Sequence, residues 1–277
     1  MRHTSHRNKP VSALGQALDR HERLFVLTGA GVSTGSGLGD YRDRNGHWKR
    51  RQPMSGQEFK ASETARQRYW SRSYIGWPVF SGATPSPAHH ALAALERRGR
   101  IACCVTQNID GLHQAAGHRD IVELHGALHK VICLSCGNRS LRDTFQERLQ
   151  AANPWLDTLT ATLAPDGDAD LETNSLPGLQ LPACEHCGGV LKPDVVFFGE
   201  NVPKPVVEEA MNALRAADGL LVVGSSLMVY SGFRFAREAA RLGLPIIIVT
   251  DGVTRADDLA TLRVSGDCGE ALTTALR

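Results

Sequence analysis

Six short apolar runs recur along this chain, and most of them end in small or polar residues. They lie at 24–27, 101–105, 121–124, 195–198, 220–223 and 246–249. Segments with helical spacing of apolar residues accompany them, at 11–22, 62–74, 88–98, 206–217 and 233–242. A strand, a small polar turn and a helix, repeated, is typical of a parallel sheet with a nucleotide at its carboxyl edge. The sequence therefore predicts an α/β fold with a Rossmann-like parallel sheet.

The first apolar run leads into a glycine loop, TGAGVSTGSGLGDYR at 28–42. Gly29 and Gly31 permit a tight turn and a close approach of the backbone to a diphosphate. The third glycine of the dinucleotide fingerprint is absent, so a turn without a ligand is the alternative. Asp40, Tyr41 and Arg42 place charged and aromatic groups directly after the loop, which favours a ligand.

Polar side chains also follow the next two runs. Gln107, Asn108 and Asp110 come after the run at 101–105, and His125 comes after the run at 121–124. Doubly wound folds bind ligands at the carboxyl ends of their parallel strands. A neutral imidazole there is a plausible base near physiological pH.

Four of the seven cysteines form two CxxC pairs. The pairs, Cys133 with Cys136 and Cys184 with Cys187, have the spacing of tetrahedral thiolate ligands, and four cysteines leave no open position. We therefore predict one structural Zn²⁺ ion in a module, residues 127–193, that interrupts the sheet pattern.

The totals exclude several classes of protein. The chain has 277 residues, 42% apolar content and a net charge of +2. This charge gives no electrostatic case for nucleic acid, and no apolar stretch is long enough for a membrane helix. Residues 1–12 are expected to be a flexible tail. We expect a cytoplasmic monomer, with the mitochondrial matrix left open.

Taken in order, the motifs resemble the sirtuins, the NAD-dependent protein deacylases. The motifs are GAGVS at 29–33, TQNID at 106–110, ELHG at 123–126, the two CxxC pairs, KPDVVFFGE at 192–200 and GSS at 224–226. The resemblance runs from about residue 13 to the C-terminus. Details at 66–70, 76–78, 153–155, 164–168 and 254–259 look closest to the class II branch, which includes the mitochondrial sirtuin-four group.

The resemblance implies a division of the chain into two parts. The sirtuin-type catalytic domain would span 13–277. Its Rossmann-like core would comprise about 13–40, 86–126 and 194–277, and the helical and zinc module about 41–85 and 127–193.

The resemblance also implies an activity, in which the acyl group of an acyl-lysine protein passes to ADP-ribose as nicotinamide is released. His125 would act as general base on a ribose hydroxyl, and Gln107 and Asn108 would hold the ribose and a water. The residues implied to bind NAD are Gly29, Ala30, Gly31, Ser33, Asp40, Tyr41, Arg42, Gln107, Asn108, Ile109, Asp110, His125, Gly224, Ser225, Ser226, Thr250, Asp251, Gly252 and Cys268.

The chain departs from the sirtuin pattern at two cofactor positions. Gly39 stands where proline is usual, so this loop is expected to be more flexible. Thr250 stands where an asparagine usually contacts the adenine ribose, and Asp251 is a possible replacement because a carboxylate accepts both ribose hydroxyls.

A Tyr-x-x-Arg spacing, Tyr69 to Arg72, is like that of sirtuins that bind acidic acyl groups. On one helical face it would present a hydroxyl and a guanidinium to a carboxylate. We therefore expect a preference for carboxylated or branched acyl chains, with a surface arginine beside packed aromatics as the alternative.

Three other functions remain open at this point. A protein ADP-ribosyltransferase would use the same NAD site. An oxidoreductase is disfavoured because the four-cysteine zinc site is closed. A nucleotide sensor without turnover is disfavoured because both His125 and Asn108 are present.

Overall fold

The structure is a computed structural model that describes residues 8–49, 52–158, 162–163, 169–170 and 178–277. Residues 1–7 of the predicted tail and the 164–168 motif lie outside the described residues. Residues 8–12 form the beginning of the first helix.

Eleven strands are described: β1 Leu24–Thr28, β2 Ile101–Thr106, β3 Ile121–Glu123, β4 Gly126–Cys133, β5 Arg139–Leu141, β6 Thr162–Leu163, β7 Ala169–Asp170, β8 Leu191–Val195, β9 Gly219–Val223, β10 Ile246–Val249 and β11 Leu262–Val264. The α-helices in the same ranges are α1 Asn8–Arg20, α2 Gly56–Ala61, α3 Glu63–Ser81, α4 Pro87–Arg97, α5 Leu112–Ala115, α6 Arg142–Ala152, α7 Lys204–Arg215, α8 Tyr230–Arg241 and α9 Cys268–Ala275. All five predicted helices are confirmed, with shifted ends.

The main sheet has six parallel strands in the order β11-β10-β9-β1-β2-β3. Its central strand, β1, is fully buried and alternates between two apolar cores. Val26 packs with α1, α4 and α9 on one face, whereas Phe25 packs with α7 and α8 on the other. The predicted Rossmann-like sheet is confirmed.

The strand order reverses beside β1, which places a crevice at that point. The chain proceeds from β1 to β2 and β3 on one side, and from β9 to β10 and β11 on the other. The connections after β1 and β9 therefore run to opposite sides of the sheet from this point of its carboxyl edge, where doubly wound folds bind ligands.

The predicted strand at 195–198 is wrong as a member of the main sheet. Only Val195 is in a strand, β8, which pairs antiparallel with β4 in a separate sheet of order β5-β4-β8. The ring of Phe197 packs edge-on against Phe59, so this apolar run belongs to the smaller core. The edge strand β11 and helix α9 were not predicted.

The smaller core is built on aromatic side chains from α3 and α6. Trp70 and Trp77 are buried, and Arg142 lies fully buried against both rings and Phe145. Arg142 donates to the Ser73 carbonyl oxygen at 3.3 Å. Helix α3 runs to Ser81, beyond its predicted end at residue 74.

No helix in the described parts of the chain is long and apolar enough to cross a membrane.

Candidate active site

A cavity of about 1720 Å³ lies at the carboxyl edge of the main sheet, bounded by residues of both cores. Every residue that the sequence assigned to NAD, from Gly29 to Cys268, lines it. The structure therefore brings together loops that follow β1, β2, β9 and β10.

The glycine loop packs directly on the loop after β9. The Gly31 amide donates to the Gly224 carbonyl oxygen at 2.8 Å, and the Gly29 amide donates to Val223 at 3.1 Å. A methyl group on Gly31 would lie 2.9 Å from Gly224 Cα, which is too close for real side chains. The small size of these glycines is thus required by contact between two backbones, a reason that the sequence alone did not reveal.

Asn108, Asp110 and Ser33 form a hydrogen-bonded group on the cavity wall. Ser33 Oγ donates to Asp110 Oδ2 at 2.6 Å, and Asn108 Nδ2 donates to Ser33 Oγ at 3.0 Å and to the Gly29 carbonyl at 3.1 Å. Burial raises the pKa of Asp110, and the bonds from Ser33 and the Leu112 amide oppose that shift. These bonds fix the carboxylate and the carboxamide in one orientation.

Gln107 joins the loop after β2 to the loop after β9. Its Nε2 donates to Ser225 Oγ at 2.7 Å and to the Thr28 carbonyl at 3.1 Å. A methyl group on Gly232 would lie 2.5 Å from Gln107 Oε1, so α8 also confines this side chain. The geometry gives Gln107 a positioning role within the cavity wall.

His125 has a defined tautomer. Its Nδ1 lies 2.8 Å from the Gln107 carbonyl oxygen, which can only accept, so Nδ1 carries the proton. Its Nε2 lies 2.8 Å from Ser231 Oγ and accepts from that hydroxyl. Burial lowers the pKa of His125, the hydrogen bond to the Gln107 carbonyl opposes that shift, and the charge of Arg234 adds to it. His125 is therefore a neutral imidazole whose basic nitrogen is Nε2.

Ser231 and Arg234 were missed by sequence reasoning. Both lie on α8 and line the cavity. Nothing in the spacing of α8 distinguishes these positions from an ordinary polar helix face. Their part in the site depends on how α8 packs beside β9, which the sequence did not reveal.

Asp40, Tyr41 and Arg42 lie on a loop that closes on itself. Asp40 pairs with Lys49, and the Arg42 guanidinium lies 4.1 Å from the centre of the Trp48 ring. Tyr41 packs edge-on against the same ring. Trp48, which was not predicted as a site residue, therefore organises the loop around it.

The loop after β10 carries Thr250 and Asp251, the two residues considered above for the contact with the adenine ribose. Thr250 is buried, and the Asp251 carboxylate accepts from Arg44 Nε at 2.6 Å. The predicted replacement contact would thus compete with an ion pair. Cys268 donates to the Val249 carbonyl oxygen at 3.4 Å, and burial raises its pKa to about 12.

Tyr69 of the predicted acyl pocket lines the cavity and packs against Phe59 and Phe197. Arg72 lies three residues further along α3, is half-buried, and is not among the residues of the cavity wall. The acidic-acyl pocket formed by this pair stays a prediction.

The four predicted zinc ligands meet in one cluster outside the main sheet. The Sγ atoms of Cys133 and Cys187 lie 3.5 Å apart, and those of Cys136 and Cys184 lie 3.8 Å apart. Hydrogen bonding by the Cys136 amide lowers the pKa of Cys133 to about 6. Sulfur atoms at this spacing fit the tetrahedral thiolate shell of a structural Zn²⁺ ion.

A Rossmann-like sheet, a cavity over its carboxyl edge and a closed four-cysteine cluster define a nucleotide-binding protein with a zinc-binding module. Comparison with known proteins narrows this class. Residues 29–231 match the model of the Sir2 family. The chain belongs to the Sir2 family, and its resemblance to the sirtuins is confirmed at that level.

Curated relatives include an NAD-dependent protein deacetylase 2 from Bradyrhizobium diazoefficiens, 56% identical over 96% of this chain and 98% of the relative. An NAD-dependent protein deacetylase from Xanthomonas campestris is 56% identical over 94% of this chain and 89% of the relative. A solved structure described as "Sir2-p53 peptide-NAD+" is 29% identical, with a TM-score of 0.76 over 94% of this chain and 95% of that one.

Proposed function

We propose that this protein is an NAD-dependent protein lysine deacylase that transfers the acyl group to ADP-ribose and releases nicotinamide. The observation that carries the proposal is the basic Nε2 of His125, which faces Ser231 in the cavity that the glycine loop lines. Relatives at 56% identity bear the name of NAD-dependent protein deacetylase. The proposed substrates are acyl-lysine proteins, in keeping with the peptide in a related structure.

The cavity residues divide into groups with different proposed roles toward NAD. The glycine loop and Ser225 would lie along the diphosphate. Asn108 and Asp110, already fixed by Ser33, would face the nicotinamide carboxamide, with the Asp110 carboxylate as acceptor. A cavity of about 1720 Å³ has ample volume for a dinucleotide together with a lysine side chain.

His125 is the proposed general base. NAD, when bound, supplies the ribose carbon that takes the acyl oxygen and the hydroxyl that receives the acyl group. The Gln107 carbonyl keeps the His125 proton on Nδ1, so Nε2 can remove a proton from that hydroxyl. Ser231 Oγ marks the direction from which a hydroxyl approaches Nε2, and the substrate hydroxyl would take its place.

The wall around Tyr69 favours an uncharged acyl group. Phe197 and Leu128 line the cavity and belong to the same apolar core as Tyr69. A carboxylate buried among these apolar side chains would lose hydration, a cost that an uncharged acetyl group does not incur. We therefore propose acetyl-lysine as a better substrate than succinyl- or glutaryl-lysine, which reverses the expectation from the Tyr-x-x-Arg spacing.

The zinc cluster is proposed to be structural. Four thiolates fill a tetrahedral shell, so no ligand position remains for a substrate. We propose the two-part division of the catalytic domain with residues 191–195 assigned to the zinc module, because β8 pairs with β4.

The finer class II assignment rests on the sequence details at 66–70, 76–78, 153–155, 164–168 and 254–259. The relatives reported above are bacterial, and their names specify no branch. Class II membership, a monomeric state and a cytoplasmic location therefore remain predictions.

The products of the reaction test the proposed function. The protein is incubated with NAD⁺ and an acetyl-lysine peptide, and the products are identified by mass spectrometry. We expect deacetylated peptide together with O-acetyl-ADP-ribose. An unchanged peptide and ADP-ribose attached to protein would instead establish the ADP-ribosyltransferase alternative. Formation of NADH would establish an oxidoreductase.

A further inference from the structure

Three buried side chains behind the cavity bring metal-binding atoms together. They are Cys104 on β2, His113 on α5 and His118 in the turn that follows α5. One donor atom from each lies within 4.8 Å of the others. Their exposed fractions are 0%, 1% and 6%, and none of the three lines the cavity.

Each histidine of this trio has one nitrogen beside a polar neighbour and another nitrogen without a partner. His113 Nε2 lies 2.9 Å from Thr28 Oγ1, while its Nδ1 is buried and unpartnered. His118 Nδ1 lies 3.4 Å from Glu96 Oε1 in an ion-pair contact, and both of its ring nitrogens are buried without a hydrogen-bond partner. Metal-binding histidines have this arrangement, because a carboxylate or hydroxyl holds one nitrogen and directs the other to the ion.

Leaving these nitrogens unpartnered has a cost in the absence of a ligand. A buried polar atom without a hydrogen bond destabilises a fold, because it has lost its hydration without compensation. A bound cation would satisfy His113 Nδ1 and His118 Nε2 at the same time, with the Cys104 thiolate compensating part of its charge.

We propose that Cys104, His113 and His118 form a second metal site, separate from the four-cysteine cluster, for a thiophilic cation such as Zn²⁺ or Cu⁺. One thiolate and two imidazoles match the ligand preference of both ions. Bonds of about 2.0–2.3 Å require donor atoms about 3.5 Å apart, so the side chains must close by up to about 1 Å.

A fourth ligand is available for a tetrahedral ion. His89 accepts from the Ser86 amide through Nδ1 at 3.1 Å, and its Nε2 is buried without a partner. The centre of its ring lies 4.7 Å from that of His113. His89 does not belong to the trio. A four-coordinate Zn²⁺ ion would require His89 to move toward the trio, whereas a three-coordinate Cu⁺ ion would not need it as a ligand.

The second site would anchor the loop that carries the active-site side chains. Cys104 precedes this loop on β2, and His113 follows it on α5, with Asn108 and Asp110 between them. Thr28, beside His113, directly precedes the glycine loop. A metal ion here would fix both ends of the loop without touching the cavity.

Metal content tests this inference independently of the proposed function. The full chain is prepared in media supplied with Zn²⁺ or with copper, under reducing conditions, and its metals are counted by mass spectrometry. We expect two ions per chain in at least one medium, and one ion in Cys104→Ala and His118→Ala. Cys103→Ala, which changes the neighbouring cysteine on the same strand, should keep two. One ion per chain in the unmodified protein from both media would overturn the proposal.

A measurement on the unmodified protein covers the case in which these variants fail to fold. Co²⁺ is titrated into metal-depleted full chain, and the sulfur-to-cobalt absorption is followed. We expect a second equivalent with a weaker band than the first, since one thiolate contributes instead of four. A titration that ends at one equivalent, together with a single ion in unmodified protein from the copper medium, would contradict the proposal.

Discussion

At the scale of single residues, the proposed role of His125 as general base depends on which of its ring nitrogens is basic. The Gln107 carbonyl fixes the proton on Nδ1, and the Ser231 hydroxyl donates to Nε2. A hydrogen bond to the lone pair of a neutral imidazole favours the neutral form, as burial does. Both effects keep His125 competent as a base at slightly acidic pH.

The first prediction is a shift in pH dependence for Ser231→Ala. In the unmodified protein, burial lowers the pKa of His125, so kcat/KM should fall only when the pH drops below the ordinary histidine range near 6.5. Loss of the Ser231 hydroxyl removes a bond to the neutral form, so the acid limb of kcat/KM should move to higher pH. A limb that stays in place or moves lower would contradict the assigned tautomer. Circular dichroism of the variant controls for folding.

The second prediction concerns Arg72, which the cavity wall does not include. We expect Arg72→Ala to change the ratio of kcat/KM for acetyl- and glutaryl-lysine peptides by less than about twofold, because a side chain that does not line the cavity makes no contact that distinguishes the two acyl groups. Tyr69→Ala, on the wall, serves as the matched comparison and should alter the ratio. A selective loss of glutaryl activity in Arg72→Ala would restore the original acidic-acyl interpretation.

At the scale of secondary-structure elements, the site is held by contact between the loops after β1 and β9. The Gly31 amide donates to Gly224, and the Gln107 carboxamide spans from β1 to Ser225. The cavity wall is therefore one connected unit, and a change in one loop should affect the other.

The third prediction is that Gly31→Ala separates these loops. The new methyl group would lie 2.9 Å from Gly224 Cα, and backbone cannot move aside as a flexible side chain can. Such overpacking typically destabilises a fold by about 1–3 kcal/mol. We expect a lower melting temperature and at least a tenfold rise in KM for NAD⁺. Gly35→Ala, whose nearest neighbour is the Ser86 side chain at 3.2 Å, should cause a smaller change. Equal effects of the two variants would refute the explanation.

Much of the fold could be predicted because parallel strands buried on both faces leave a clear apolar signal. The runs at 24–27 and 220–223 are adjacent central strands with fully buried residues. The run at 195–198 was misplaced because an apolar segment of the same length serves a different core, and its pairing with β4 is not encoded locally. The edge strand β11 gives no continuous apolar run, because Arg263 lies at its centre.

The residues of the candidate site also differ in whether they could be predicted from the sequence. Residues next to glycine or polar motifs, such as Asn108 and Ser225, could be identified from the sequence. Ser231 and Trp48 could not, because each reaches the site through tertiary packing. The second histidine-containing cluster was missed for the same reason, since Cys104 and His118 come together only when β2 and α5 are folded.

At the scale of the whole molecule, the cavity lies between two cores that contribute different parts of the site. The main sheet supplies the glycine loop and His125, and the smaller core supplies Tyr69 and the four-cysteine cluster. Strand β4 begins directly after His125 and ends at Cys133. A metal ion at the four-cysteine cluster can therefore affect the shape of the cavity.

The fourth prediction is that removal of Zn²⁺ abolishes activity through loss of the smaller core's structure. The sulfur contacts Cys133–Cys187 and Cys136–Cys184 join the segments around β4 and β8, and β4 begins directly after His125. Structural zinc sites contribute folding free energy outright. Chelation should therefore eliminate activity and reduce near-ultraviolet dichroism, with Zn²⁺ restoring both. Full activity in protein shown to be zinc-free would contradict a structural role.

The central claim, that one cavity performs NAD-dependent deacylation with His125 as base, is tested most directly by counting products. Nicotinamide and deacetylated peptide are measured together over time, in the unmodified protein and in His125→Ala. The account predicts one nicotinamide for each lysine deacetylated, and a loss of at least about 100-fold in the rate of deacetylation in the variant. Deacetylation without nicotinamide, or deacetylation unaffected by His125→Ala, would contradict it.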